Sequence, residues 1–271
     1  MKKVFLATLC AVSIAALSVP VYAEDATIAE QIIYDQDGIK VTVTGFDPAT
    51  MFGVGIPILV ENNSDENICV QFRDSSVNGC MTDFQASVEV APGKKANDEI
   101  TILKSNLEKY GIEQVADLEC SLHLFDPDTY TTIADTPAIN IETNLSEKYE
   151  QAYDDSGNTV YDENGIKIVS QGVENDDIWG LSPKFYMENN TDQAVTIQIR
   201  DTSVNGYMLN TSFSSDLLPG KKCVNNIVFI PDDLKNNNIE EITDLETSFH
   251  VFAADNVSQI IVDTPAITIN Y

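Results

Sequence analysis

The sequence predicts an all-β chain of two tandem β-sandwich domains, each with one short helical turn. Two observations predict it. First, the chain repeats itself. Gly38-Ile39-Lys40 returns as Gly165-Ile166-Lys167, and Glu61-Asn62-Asn63-Ser64-Asp65 as Glu188-Asn189-Asn190-Thr191-Asp192. Arg73-Asp74-Ser75-Ser76-Val77-Asn78-Gly79 returns as Arg200-Asp201-Thr202-Ser203-Val204-Asn205-Gly206, and Pro92-Gly93-Lys94-Lys95 as Pro219-Gly220-Lys221-Lys222. The offset is 127 residues from Gly38 to Gly165 and 128 from Asp135 to Asp263, so one residue has entered late in the second copy. Roughly 40% of positions match in this register, which marks an internal duplication. Second, each copy is a series of short runs of alternating apolar and polar residues. Clusters of Gly, Pro, Asn and Asp break the runs, the pattern of half-buried strands joined by tight turns.

Taken in order, residues 31–34 and 39–45 read as strands around the turn Asp35-Gln36-Asp37-Gly38. Residues 159–161 and 166–170 do the same around Asp162-Glu163-Asn164-Gly165. A strand over 55–61 leads into the polar Asn-Asn-Ser-Asp turn, and another follows over 67–77. Asn78-Gly79 is a strong hairpin signal, because both residues accept the positive φ of a type I′ turn. This turn pairs Val77 with Cys80 and begins a strand running to about Val90. Pro92-Gly93 is a turn in which Pro presets φ and Gly accepts a positive one. A strand over 100–103 precedes the helical turn. Ser105 is its expected cap, with Glu108 completing a capping box and Gly111 at the left-handed exit. In the second copy Asp232 and Asn238 take the cap and exit roles. Strands over 116–125 and 131–141 close the copy. About seven short strands in some 110 residues, with turns at regular spacing, point to an immunoglobulin-like sandwich. The boundaries that follow are a first domain over 24–143, a polar, partly helical linker over 144–157 and a second domain over 158–271, each copy holding a full strand set of its own.

Residues 1–23 read as a secretory signal peptide. Lys2 and Lys3 precede an apolar run from Val4 to Val19, and Val21-Tyr22-Ala23 offers small residues for cleavage after Ala23. The run is shorter than the ~20 residues a membrane-spanning helix needs. Formal net charge is −28 for the whole chain. Lys2 and Lys3 are the only charged groups in the leader, so the remainder carries about −30. A field of that sign repels nucleic acid and anionic lipid, which argues against both as partners; membrane insertion is not expected because the apolar run is too short and no second hydrophobic span follows. The acidic residues are dispersed among strands, as on an acidic folded protein kept in solution outside the cell. Four cysteines remain beyond the leader: Cys69, Cys80, Cys120 and Cys223. Their counterparts are Thr196, Tyr207, Thr247 and Ala96, so the repeated fold does not depend on a disulfide.

Signatures of chemistry are missing. There is no Gly-x-Ser-x-Gly, no His-Glu-x-x-His and no phosphate loop. The two histidines, His123 and His250, are equivalent positions of separate copies, so no metal site and no cofactor is expected. The acidic turns at 126–128 and 154–158 lack EF-hand spacing and read as solvated loops.

One constellation stands out. In the penultimate strand Leu118, Cys120, Leu122 and Leu124 alternate with Glu119, Ser121, His123 and Phe125. Alternation places the first set toward the core and the second on the outer face. Between copies the inward set changes, to Leu245, Thr247, Phe249 and Val251. The outward set is unchanged, as Glu246, Ser248, His250 and Phe252. On the earlier strand the outward Gln71 and Arg73 return as Gln198 and Arg200. Adjacent strands would gather these residues on one face. It is either a slowly diverged sheet with a cross-strand Arg–Glu pair or a contact surface, its exposed Phe beside His and Arg fitting interface chemistry.

The succession of Gly-Ile-Lys, Glu-Asn-Asn-Ser-Asp, Val-Asn-Gly, Pro-Gly-Lys-Lys and Asp-Thr-Pro-Ala-Ile resembles the uncharacterised tandem domains of exported proteins in gut-type Gram-positive bacteria. Those domains are in turn similar, in strand order, to secreted immunoglobulin-like domains of the immunoprotective-antigen type. The resemblance implies export and an immunoglobulin-like fold and brings no catalytic residues. The expected function is therefore a non-enzymatic interaction module for a protein or glycan outside the cell. A carbohydrate-binding protein of the cell surface would need aromatics in a line, with Trp179, which matches Phe52, as the sole tryptophan; an extracellular hydrolase is the remaining alternative.

Overall fold

The computed structural model describes residues 26–176 and 180–271; the segment expected to be a signal peptide, its expected cleavage position and Trp179 lie outside them. In the first copy the strands are β1 (Gln31–Gln36), β2 (Ile39–Val43), β3 (Gly53–Asn62), β4 (Ile68–Val77), β5 (Cys80–Met81), β6 (Ser87–Val90) and β7 (Lys94–Leu103). The helix α1 (Lys104–Lys109) comes next, then β8 (Asp117–Phe125), β9 (Thr132–Asp135) and β10 (Ile139–Glu142). The second copy repeats this order. Its strands are β11 (Asn158–Glu163), β12 (Ile166–Asp176), β13 (Gly180–Asn189), β14 (Val195–Val204), β15 (Tyr207–Met208), β16 (Thr211–Ser212), β17 (Ser214–Leu217), β18 (Lys222–Asn226) and β19 (Val228–Phe229). After α2 (Pro231–Asn236) come β20 (Asp244–Ala253), β21 (Asn256–Asp263) and β22 (Ile267–Asn270).

Each copy is a sandwich of two antiparallel sheets. In the first, one sheet runs β1-β2-β3-β7. In the other, β4 and β8 lie at the centre, flanked by β5 and β6 on one side and β9 and β10 on the other. Inward residues of both sheets, among them Ile56, Ile58, Ile100, Val70, Leu122 and Leu124, form one buried cluster. A second cluster holds Ile168, Phe185, Met187, Ile197, Phe249 and Val251. Removing such side chains from water supplies roughly 25 cal/mol per Å², so each copy has its own apolar source of stability.

The repeated motifs are largely explained by local structure. Asp37 and Gly38 take φ of 52° and 79°, and Asn78 and Gly79 take 47° and 77°, the two-residue hairpin turns expected from their sequences. Asn62 is fully buried. It donates to the Glu66 and Val90 carbonyls, both at 2.8 Å, and accepts from the Ser64 amide and hydroxyl. Asn189 makes the equivalent bonds to Gln193, Leu217 and Thr191. The Asn-Asn-Ser/Thr-Asp identity is thus a buried hydrogen-bonded knot, which an apolar residue would leave open.

Three expected elements differ. The strand from Cys80 to Val90 is broken after Met81, because Ser75 reaches across to donate to the Thr82 carbonyl and accept from the Phe84 amide. The strand over 131–141 splits at Pro137, which has no N–H for the ladder, and Thr136 there accepts the Leu122 amide through its hydroxyl. Neither helix carries the expected cap: α1 begins after Leu103 and α2 after Ile230, with no side-chain cap, and Ser105 and Asp232 sit inside the first turn. The exits are as expected, Gly111 and Asn238 both having positive φ. The segment 144–157 makes a single turn closed by Tyr149 N–H on the Leu145 carbonyl. It is anchored as well as polar, since Leu145 is buried against Ala26 and Ala116.

The two copies meet edge to edge. The β5 edge of the first copy joins the β18 edge of the second through one parallel bridge, Cys80 opposite Lys222, and the Lys222 amide donates to the Gly79 carbonyl at 2.9 Å. A single ten-stranded sheet therefore runs through both copies. Tyr110 packs on Val169, Tyr186 and Val224, and its hydroxyl donates to the Met81 carbonyl at 2.8 Å. Lys221 Nζ stands 2.9 Å from Glu119, and Lys222 Nζ lies over the Tyr153 ring. Tyr153 in turn donates to the Asn78 carbonyl at 2.8 Å and rests on Gly79, where a Cβ would meet its hydroxyl at 3.0 Å.

Candidate functional site

The β4–β8 register sets Gln71 opposite His123 and Arg73 opposite Ser121. The β14–β20 register sets Gln198 opposite His250 and Arg200 opposite Ser248. The outward residues read from alternation therefore do share a sheet face in each copy. Their roles on that face differ from expectation in three ways.

The cross-strand Arg–Glu pair does not form. A bulge follows Arg73, with Asp74 at φ 50°, and shifts the register so that Glu119 opposes Ser76. Asp201 has φ 52° at the same place in the second copy, where Glu246 opposes Ser203. Aspartate is among the few residues that accept this backbone region readily. Glu119 instead holds Lys221 of the second copy, whereas Glu246 is exposed and among the described residues accepts only the Thr268 hydroxyl at 3.4 Å.

The phenylalanines are not exposed. Phe125 and Phe252 retain 9% and 7% of their surface. Phe125 stacks between His123 at 5.1 Å and Tyr130 at 6.1 Å, and Phe252 lies against His250 at 5.2 Å. In the first copy Tyr130, on the loop after β8, supplies part of this cover, which strand alternation alone does not reveal.

The histidines are occupied. His123 Nδ1 is 2.6 Å from Asp135 Oδ1, and His250 Nδ1 is 2.5 Å from Asp263 Oδ1. The Asp-Thr-Pro motif thus fastens the last hairpin twice, by Asp to His and by Thr to a backbone amide. What the face still presents to solvent is Gln71 and Arg73, the Arg73 guanidinium reaching Gln71 Oε1 at 3.5 Å. In the second copy Gln198 stands beside Arg200, which is 3.9 Å from Asp263.

Arg73 also borders a cleft of about 600 Å³ between the copies. Lys109, Tyr110, Asp74, Asp216 and Asn225 line it with Arg73. Burial, with Cys223 alongside, pushes the Tyr110 phenol well above its ordinary range, so it remains a neutral donor. The cleft mixes cations, carboxylates and amides, a surface suited to hydrogen-bonded recognition. Sequence reasoning missed Lys109, Tyr110 and Asp74. Only Asp74 left a signal, inside the seven-residue Arg-Asp motif; the others matter through a junction that no repeat comparison displays.

Among the described residues no group of three His, Cys, Asp or Glu side chains is placed to hold a metal ion. The acidic turns are closed on themselves. Asp126 accepts the Asp128 and Thr129 amides, bonds that hold its carboxyl below the usual range. Asp154 is held low by the Ser156 hydroxyl and amide, and Asp155 is engaged by Lys167.

No protein-family model matches the chain, and no curated protein matches it. Solved structures similar to it include the YadV chaperone (10% identity, 80% of this chain and 92% of that one, TM-score 0.26). Others are the Salmonella enterica SafA pilin in complex with the SafB chaperone (11% identity, 88% and 98%, TM-score 0.24) and the exo-chitosanase CsxA of Amycolatopsis orientalis (10% identity, 89% and 26%, TM-score 0.25). At these TM-scores the likenesses carry no argument about what the chain does.

Proposed function

We propose that this chain is an exported, non-enzymatic interaction module of two immunoglobulin-like domains that binds a protein outside the cell. Its contact surface is the Gln71–Arg73 face where it opens into the cleft between the copies. The observation that carries the reading is the position of Arg73. It belongs to a face whose residues are the same in both copies, its one side-chain hydrogen bond among the described residues is the long one to Gln71, and it stands at the rim of the cleft between the copies. Arginine at such a place is a common interface anchor, worth about 2 kcal/mol or more when central. A glycan is the weaker choice, because among the described residues the exposed aromatics Phe52, Tyr130 and Tyr207 stand on separate segments of the chain with no ring contact between them.

The test is capture of partners from the native cell surface by the whole chain, beside the double variant Gln71→Ala/Arg73→Ala and its twin Gln198→Ala/Arg200→Ala. Loss of a partner with the first double variant, with melting unchanged, is the expected result. Retention of every partner by both variants, or glycan-array binding that ignores them, would sink the assignment.

A further inference from the structure

The intrachain junction joins two motifs that the duplication copied, and each has a twin at the opposite end of the molecule. The Asn78-Gly79 hairpin of the first copy meets Lys221-Lys222 of the second. Their twins are Asn205-Gly206 with β15, and Lys94-Lys95 at the start of β7. Within the described residues neither twin has a strand beyond it: β15 pairs only with β14, and the 94–98 part of β7 only with β3. The ion pair is duplicated too. Glu119 and Lys221 close the junction, while their equivalents Glu246 and Lys94 are both exposed and make no ion pair among the described residues. The edge beside Glu246 also presents Tyr207 and Met208, 49% and 68% exposed, where the buried Cys80 and the half-buried Met81 stand in the junction. Unpaired edges of this kind are templates for a further strand.

We propose that the chain associates head to tail with a second copy of itself, the β15 edge of one molecule meeting the β7 edge of the next. The contact repeats the junction already inside the chain. The Lys95 amide bonds the Gly206 carbonyl, Lys94 pairs with Glu246, and Tyr207 and Met208 cover Leu59 and Ala96. The two surfaces differ from each other, so the contact is heterologous and each addition leaves a free edge for the next. It is also weaker than the internal junction. The apolar cluster of Tyr110, Val169, Tyr186 and Val224 is replaced by Asn237, Thr42, Leu59 and Asn97, and the high negative charge opposes crowding of copies.

Sedimentation velocity of the full chain from low micromolar to roughly 1 mM, the weak end of ordinary affinities, tests this. The expected result is a weight-average coefficient that rises with concentration without a plateau at the dimer. Glu246→Lys and Lys94→Glu should each remain monomeric with unchanged circular dichroism. An equimolar mixture of the two should associate again, because each supplies the charge the other lacks. A wild-type chain that is monomeric throughout overturns the proposal, as does a closed dimer, or association indifferent to both reversals and to their mixture.

Discussion

The two Asn-Gly hairpins have the same residues and different surroundings, and the difference separates what the fold needs from what the junction needs. Asn78 is 5% exposed. Its side chain accepts the Ala116 and Asp117 amides and donates to the Gln114 carbonyl and to Gln151, with Tyr153 lying across the turn. Asn205 is half-buried, with no linker residue bonded to it among the described residues, yet it accepts the Thr243 and Asp244 amides and donates to the Glu241 carbonyl. The bonds to the loop before the long return strand are common to both. That tether, with the positive φ of the turn, accounts for the asparagine in each copy. Gln151 and Tyr153, both from the linker, bond only the first of the two hairpins, and Tyr153 also carries the junction to Lys222.

Substituting the two asparagines should give the largest effects and break this comparison if it is wrong. Asn78→Ala leaves the buried Ala116 amide and the part-buried Asp117 amide without their acceptor and strains a left-handed residue, which should cost about 3 kcal/mol. Asn205→Ala removes the same tether at a wetter site and should cost about 1–2 kcal/mol. Urea titrations of both variants measure the gap. Equal costs would mean that burial under the linker adds nothing to the first hairpin.

Next in size is the junction itself. Tyr110 occupies the position that Asn237 holds in the second copy, where the asparagine merely donates to the Asp233 carbonyl. Tyr110→Ala should cost about 2 kcal/mol, since it empties a partly buried aromatic site and strips the hydrogen bond to Met81. It should also separate the unfolding of the two copies into distinct calorimetric transitions. Asn237→Ala should change stability by less than about 0.5 kcal/mol. A single transition retained in the Tyr110 variant would show that the copies are coupled through other contacts.

How much of this was legible follows from the range of each interaction. Turn chemistry is local, so Asp37-Gly38, Asn78-Gly79 and Pro92-Gly93 could be read directly. Alternation is also local, and it placed Leu122 inward and His123 outward. Burial of Phe125 depends on Tyr130, five residues further on in a loop whose path no periodicity describes. The partner of Glu119 lies 102 residues away in another copy, and the bulge at Asp74 that separates Glu119 from Arg73 has no apolar signature. The helix caps failed for a related reason. Ser105 and Asp232 have the right chemistry, but β7 and β19 lead straight into the first turn and leave each a place inside the helix.

The smallest expected effect concerns the cysteines, where the copies disagree most. Cys69 corresponds to Thr196, which donates to Asp216 at 2.6 Å, and Cys120 to Thr247, which shares a bond with Thr202 at 2.8 Å. Cys69 instead lies 3.3 Å from the Ser87 hydroxyl, and Cys120 is packed in the core. All four described thiols are free. Burial pushes the Cys80 and Cys120 thiols up to about 12, so at neutral pH the reactive thiolate is scarce as well as inaccessible. A reductant should therefore shift the melting temperature by no more than about 1 °C, against the roughly 10 °C or more that loss of a structural disulfide would produce in a chain of this size. Thiol labelling at pH 8 should be slow for the folded chain and complete in urea, with labelling of Cys80 and Cys120 rising only as the strands open. Prompt labelling of Cys80 under native conditions would mean that the β5 edge opens without global unfolding. The junction would then be the weakest part of the sheet, and Cys120, enclosed in the first core, would label later than Cys80. If both label together, the first copy opens as one unit and the junction opens with it.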